Sequence, residues 1–222
     1  MAPTDHVQPS RRVQSASAPQ SAHGGASAGR CARAWTIALL TAAIALTADL
    51  WIKAWAFENV ARVPVELGSG DRIPQHDQID LVPNVLSLKL TTNKGAVFGL
   101  GQGGQVFFII ISVAAVFVLG RVFWVSRASA HLTHIALALI FAGAIGNLYD
   151  RLRFSEVRDM LWLFPDVKLP FGLHWPGKSG SDLVYPWIFN IADAALVVGV
   201  GMMLLIMWFS PKPPPADQKS RD

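Results

Sequence analysis

The sequence predicts an α-helical membrane protein with four transmembrane helices and a small β element in a loop outside the membrane. Hydrophobic residues make up 52% of the 222 residues and charged residues only 15%, against roughly 25% charged residues in an average soluble domain. Four apolar stretches each approach the ~20 residues with which a helix crosses the ~30 Å hydrocarbon core. This composition, with a net charge of +4, excludes a disordered chain and a solvated nucleic-acid-binding protein.

The four apolar stretches follow one another between two polar ends. A period-two alternation of apolar and polar residues between the first two stretches predicts a strand at the membrane surface. Polar, low-complexity ends are expected to be disordered because they have little apolar surface to bury. The predicted helices cover residues 35–57, 105–125, 132–149 and 187–209, the strand 85–91, the disordered ends 1–34 and 210–222, and the membrane domain 35–209.

The first stretch is predicted to be a retained helix and not a cleaved signal peptide, because it continues through Asp49 and Lys53 and lacks a clean small-residue exit.

The orientation in the membrane follows from the distribution of basic residues. Lys and Arg are denser on the side that holds both ends and the short second connection. We therefore expect both termini in the cytoplasm and the two long loops, 58–104 and 151–186, outside.

Ionisable residues intrude into the apolar stretches. Asp49, Asp150 and Asp193 lie within or at the outer end of predicted helices, where a carboxylate costs roughly 2.5–3.5 kcal/mol to insert. Asp159 follows Asp150 after a short loop. We therefore expect four carboxylates to converge at one face of the membrane.

Spacing indicates which polar side chains share a helix face. Asp49 and Lys53 are four residues apart, which favours an ion pair that anchors the helix end. Asn147 and Asp150, and likewise Asn190 and Asp193, are three residues apart. These pairs predict a polar lining toward the interior of the helices, although the Asn residues could instead only join helices by hydrogen bonds.

The two carboxylates nearest to these Asn residues differ in their sequence neighbours. Asp150 precedes Arg151, so a simple interfacial ion pair is an alternative for it. Asp193 has no basic residue within one helical turn. An unpaired carboxylate in an apolar helix needs a partner from elsewhere in the fold.

Paired carboxylates have a chemistry of their own. Two that lie close together share a proton, so one can act as general base on water and the other as general acid on a carbonyl. The sequence contains no HExxH and no GxSxG, and its single cysteine, Cys31, lies in the polar N-terminal end. Zinc, serine and cysteine mechanisms are poorly supported, and we expect neither a metal nor a cofactor.

Five segments in order resemble lipoprotein signal peptidase, the signal peptidase II family, over about residues 35–209. They are DLWIK at 49–53, NKGAVFG at 93–99, GNLYDR at 146–151, VRD at 157–159 and FNIAD at 189–193. The resemblance implies an aspartic endopeptidase of the bacterial inner membrane that cleaves prolipoproteins before the diacylglyceryl-modified cysteine. Its partners would be these signal peptides and membrane lipid, with no nucleic acid and no cofactor, and its active site would lie at the outer leaflet.

The resemblance also implies roles for individual residues. Asp159 and Asp193 match the catalytic pair. The substrate-binding or supporting positions are Asp49, Lys53, Asn93, Gly95, Phe98, Asn147, Asp150, Arg151 and Asn190. The chain departs from the family at Arg158 and Met160, which flank the first catalytic position, and in the length of segment 164–185. Separately from the resemblance, the glycine-rich end of segment 85–104 can supply hinges, so we expect a mobile loop that clamps the substrate over the active site; a rigid lid with a purely structural Asn93 is the alternative.

Two other functions fit the same residues less well. Intramembrane carboxylates also mark proton paths in carriers, but here they gather at one face and the sequence shows no internal repeat. A purely structural membrane subunit would use the Asp and Asn residues only to join helices. A presenilin-type GxGD site is excluded because Met202 follows Gly201.

Overall fold

The computed structural model of the chain describes residues 26–63, 65, 67, 73–94, 105–175 and 181–210. In this part of the chain four helices are long and apolar enough to cross a membrane, which confirms the predicted class. They are α1 (Ala32–Asn59), α2 (Gln105–Val125), α3 (His131–Phe154) and α4 (Ile191–Phe209).

The N-terminal boundary differs from the prediction. Residues 26–34 were expected to be disordered, yet Ala28–Arg30 form a 3-10 helix and α1 begins at Ala32. The Ala28 N–H donates to the Ser126 carbonyl at 2.8 Å, and Gly29 lies so close to the Trp124 ring that an added Cβ would overlap it. These contacts with the end of α2 and with the α2–α3 connection order the segment. The disorder predicted for 1–25 and for 211–222 concerns residues outside the described part of the chain.

The β element is larger than the sequence predicted. Strand β2 (Leu86–Asn93) confirms the strand expected at 85–91. It is joined by β1 (Ile79–Val82), β3 (Val157–Leu163) and β4 (Ile188–Phe189) in an antiparallel sheet of order β1-β2-β3-β4. Pairing with β3 takes 188–189 out of the helix that was predicted to begin at 187, so α4 begins at Ile191.

Helix α3 is the centre of the membrane domain. Half of the most apolar 18-residue segment of α3 is buried inside the protein, against 6% of that segment for α1 and α2 and 17% for α4. Gly143 and Gly199 allow close approach, because a Cβ on either one would overlap the facing helix. The short connections from α3 to β3 and from β4 to α4 then fix the sheet at one end of these two helices.

Candidate active site

The N-terminus of α4 places Asp193. Asn190 is the N-cap, and its Oδ1 accepts a hydrogen bond from the Asp193 N–H at 2.9 Å. Asp193 Oδ2 in turn accepts from the Asn190 N–H at 3.4 Å, which completes a reciprocal capping box. The Asp193 carboxyl group is therefore held at the first turn of α4, and the amide NH₂ of Asn190 remains free to donate elsewhere.

That NH₂ group joins three elements. Asn190 Nδ2 lies 2.6 Å from Asp159 Oδ1 on β3, 3.1 Å from Asn147 Oδ1 on α3 and 3.3 Å from the Arg158 carbonyl. Asn190 is fully buried, so this geometry is shielded from water. One side chain thus connects the cap of Asp193 to the carboxyl group of Asp159.

A second asparagine holds Asp193 from the opposite side. Asn147 Nδ2 donates to Asp193 Oδ1 at 2.8 Å, and Asn147 Oδ1 accepts from Lys53 Nζ at 3.2 Å. Each of Asp159 and Asp193, the carboxylate pair, therefore receives a hydrogen bond from a neutral amide. The polar lining predicted from the two Asn-x-x-Asp spacings is confirmed.

The carboxylate pair opens onto a cavity of about 220 Å³, the site cavity. Polar side chains of β2 and α3 line it, and the wall from α2 is mostly apolar. Asp159 and Asp193 share this lining with Asn93, Asn147 and Arg151, and Phe108, Ile111 and Ser112 form the α2 wall. A polypeptide backbone could lie against the carboxyl groups here while apolar side chains contact α2.

Burial dominates the electrostatics of Asp159. Its side chain is only 2% exposed, and this burial, followed by the proximity of Asp193, holds the pKa of Asp159 well above its usual range. The hydrogen bond from Asn190 opposes the shift but does not cancel it. Since two neighbouring carboxyl groups in a buried site do not both ionise easily, the arrangement favours one proton on the pair.

Behind the pair lies a charge network of Asp49, Lys53, Asp150 and Arg158. Lys53 Nζ lies 2.7 Å from Asp49 Oδ2 and 3.2 Å from Asp150 Oδ2, so the predicted Asp49–Lys53 ion pair is confirmed. Arg158 Nη2 lies 2.8 Å from Asp150 Oδ1. Asp49 Oδ1 also accepts the Ala192 N–H at 2.8 Å, which ties the network to the first turn of α4.

Of two neighbouring basic residues, Arg151 lies at the site, where the resemblance placed it, and Arg158 lies where sequence reasoning did not place it. The alternative of an Asp150–Arg151 ion pair is wrong, because Lys53 and Arg158 occupy the Asp150 carboxylate and Arg151 lines the site cavity. Arg158 precedes Asp159 on a strand, so its side chain lies on the opposite face of the sheet and contacts Asp150. No local pattern marked Arg158 as part of the network, because its partner comes from another element.

The remaining expected site residues divide into two groups. Asn93, at the end of β2, lines the site cavity as the resemblance implied. Gly95 and Phe98 lie outside the described residues, as does the second half, 95–104, of the segment 85–104 that was expected to clamp the substrate; the described half contains β2. Phe108 and Ile111 were missed because α2 is apolar along most of its length and its sequence does not distinguish one face. Among the described residues no group of three or more His, Cys, Asp and Glu could hold a metal ion.

Comparison with known proteins identifies what this chain is similar to. A family model described as signal peptidase (SPase) II matches residues 41–209. The chain is 40% identical to a lipoprotein signal peptidase of Syntrophotalea carbinolica over 136 residues, which is 60% of this chain and 74% of the relative. It is 33% identical to the one of Latilactobacillus sakei over 155 residues, 70% of this chain and 82% of the relative.

Solved structures support the fold. The chain superposes on a bacterial membrane enzyme with a TM-score of 0.58 and 24% identity, covering 80% of this chain and 93% of that one. A second structure of a bacterial membrane enzyme gives a TM-score of 0.57 and 25% identity, over 78% of this chain and 94% of the other. The four helices and the sheet therefore form an architecture known from bacterial membranes.

Proposed function

The chain belongs to the signal peptidase II family, and on this premise we propose that Asp159 and Asp193 are the catalytic pair of an aspartic endopeptidase that removes the signal peptide from prolipoproteins. One observation carries the assignment of residues. Two carboxyl groups from different elements line one cavity, and each is held by the amide of an asparagine at 2.6 or 2.8 Å.

The chemistry follows from the shared proton. Asp159, the more deeply buried carboxyl group, carries the proton and donates it to the carbonyl oxygen of the scissile peptide. Ionised Asp193 takes a proton from water as the water oxygen bonds to the carbonyl carbon. The tetrahedral intermediate collapses when Asp193 returns that proton to the leaving nitrogen, the C–N bond breaks, and a hydroxyl proton goes back to Asp159. The pair ends in its starting state.

The site cavity suits a substrate that arrives from the lipid phase. Its α2 wall is largely apolar, and its other walls carry amides and the Arg151 guanidinium. We infer that the apolar signal peptide lies against α2 and that its backbone reaches the carboxylate pair. Cleavage would precede the diacylglyceryl-modified cysteine, at the outer leaflet of the inner membrane, with both termini in the cytoplasm as the basic residues indicate.

The assignment is tested by Asp159→Asn and Asp193→Asn in purified enzyme, with a synthetic diacylglyceryl-modified pro-lipopeptide as substrate. Each change keeps the size of the side chain but removes proton transfer, so we expect cleavage to fall by at least about 10³-fold. Asp182→Asn, in an exposed Lys168–Asp182 ion pair, is the matched control and should cleave normally. Turnover by either active-site variant would refute the assignment of the catalytic pair.

Chelation is a separate test of the aspartic mechanism. EDTA should leave wild-type activity unchanged.

A carrier function is separated by a second measurement on the same protein. Reconstituted into liposomes, the wild-type enzyme should cleave the lipidated peptide without a pH-driven proton flux. An Asp193-dependent flux without cleavage would favour the carrier instead. A structural subunit would give neither signal.

A further inference from the structure

Arg158 occupies an unusual place for a residue next to a catalytic position. Its guanidinium donates to Asp150 Oδ1 from Nη2 at 2.8 Å and from Nε at 3.2 Å, and its own backbone N–H donates to Asp150 Oδ2 at 3.0 Å. One carboxylate therefore holds both the side chain and the main chain of Arg158. Such a fork of donors is specific to arginine and is lost with lysine.

The other side of the same residue is also held. The Arg158 carbonyl accepts from Asn190 Nδ2 at 3.3 Å, and the guanidinium lies over the Phe154 ring at 4.4 Å from its centroid. Arg158 is only 6% exposed. The N–H, the carbonyl and the side chain of the residue preceding Asp159 are thus all fixed, which leaves the peptide that carries Asp159 little freedom.

Charge gives Arg158 a second role. Without Arg158, Asp49 and Asp150 would share only Lys53, which contacts both. The charge network would then keep an excess negative charge. With Arg158 the four formal charges of the network balance. Lys53 also donates to Asn147, which in turn donates to Asp193. The balance of the network therefore reaches the carboxylate pair through hydrogen bonds as well as through space.

We propose that Arg158 is a positioning residue for the catalytic reaction: by clamping Asp150 it fixes the peptide of Asp159 and neutralises the charge network behind the carboxylate pair. The inference rests on the proposed function of that pair. Arg158 itself touches no reacting atom, since its side chain and that of Asp159 lie on opposite faces of β3.

The prediction concerns the pH dependence of cleavage. The charged and titratable groups that face Asp159 in the described part of the chain are Asp193 on α4, Lys53 on α1, Asp150 and Arg151 on α3, and Tyr185 before β4. Removing the positive charge of Arg158 leaves the network with an excess negative charge, which favours the protonated form of Asp159. The alkaline limb of log kcat against pH should then move upward by roughly 0.5–1 pH unit.

Three variants separate charge from geometry. Arg158→Met should lower kcat by about tenfold and move the alkaline limb upward. Arg158→Lys keeps the charge but loses the fork, so it should lower kcat and leave the limb in place. Arg158→Met combined with Asp150→Asn restores the charge balance, so its limb should return to the wild-type pH while kcat stays low. The double variant also serves if Arg158→Met alone does not fold.

The outcomes are distinct. A residue that only stabilises the fold would lower the unfolding temperature and the active fraction without moving the limb, and that result overturns the inference. The inference is also overturned if Arg158→Lys moves the alkaline limb to higher pH by as much as Arg158→Met does, because the charge of residue 158 is then irrelevant. Failure of the proposed function itself is seen separately, as turnover by Asp159→Asn, in which Arg158 is unchanged.

Discussion

The charge network and the carboxylate pair lie side by side and are built in opposite ways. In the network, Asp49 and Asp150 each have a cation within 3.2 Å. In the pair, Asp159 and Asp193 are contacted by asparagine amides, which carry no charge. Both regions are buried and both contain two aspartates.

Because their partners differ in charge, the two regions can do different things. A carboxylate that contacts a cation in a buried site is fixed in place by a partner of opposite charge. A carboxylate that receives a hydrogen bond from a neutral amide is fixed in place but keeps the ability to bind a proton. The network therefore supplies rigidity, whereas the pair supplies proton transfer, and the asparagines connect the two.

Removing the central cation should break the network most severely. Lys53→Met leaves Asp49 and Asp150 with only Arg158 between them, and an uncompensated buried charge typically costs about 3–5 kcal/mol. We expect a large fall in the apparent unfolding temperature in detergent. Lys168→Met, in the exposed Lys168–Asp182 pair, is the matched control and should not change it. Equal effects of the two variants would contradict the distinction between buried and exposed pairs.

Asn190 makes two contacts that a substitution can separate: its Oδ1 caps α4 and its Nδ2 donates to Asp159. Asn190→Ser retains an oxygen that can cap α4 but loses the NH₂ that reaches Asp159. We expect kcat to fall by about 10²-fold or more, with the unfolding temperature nearly kept. Asn190→Ala should lower both kcat and the unfolding temperature. Asn59→Ala, at an exposed asparagine that donates to the Trp55 carbonyl, should lower neither. Stable, fully active Asn190→Ser would show that the amide is only a cap.

The packing that brings the network against α3 depends on one glycine. A Cβ on Gly146 would lie 2.6 Å from Asp49 Oδ2, so Gly146→Ala must displace that carboxylate. We expect a destabilisation of about 1–3 kcal/mol and reduced activity. Gly201→Ala, on α4 with no atom within 4 Å of the added Cβ, should be neutral or slightly stabilising. Unfolding curves of the two variants provide the comparison, and a neutral Gly146→Ala would contradict the close approach.

The smallest expected effect concerns the pH dependence of cleavage, which reports the protonation of the carboxylate pair. Burial first and Asp193 second raise the pKa of Asp159, so its proton is retained at pH values at which an exposed aspartate is ionised. Activity should be present below this raised pKa and fall about tenfold per pH unit above it. Tyr185, whose pKa is also raised by burial, is tested by Tyr185→Phe. Loss of the alkaline limb in that variant would assign the limb to the phenol instead.

Periodicity predicted the fold better at its centre than at its edges. The length and hydropathy of four stretches were enough for four helices, and the alternation in 85–91 was enough for β2. The start of α4 was misplaced because Ile188 and Phe189 are as apolar as the helix that follows. Only their pairing with β3 makes them a strand, and such pairing depends on residues about 27 positions away along the chain.

The sequence alone was enough to predict that four aspartates would meet at one end of a four-helix membrane domain, because inserting carboxylates into lipid is costly and helical spacing is regular. It also determined the Asp49–Lys53 pair, which lies within one helix. Contacts between separate elements then set which aspartates pair with a cation and which contact a neutral amide. That division depends on Arg158 reaching Asp150 and on Asn190 reaching Asp159. These contacts join separate elements, and no local spacing encodes them.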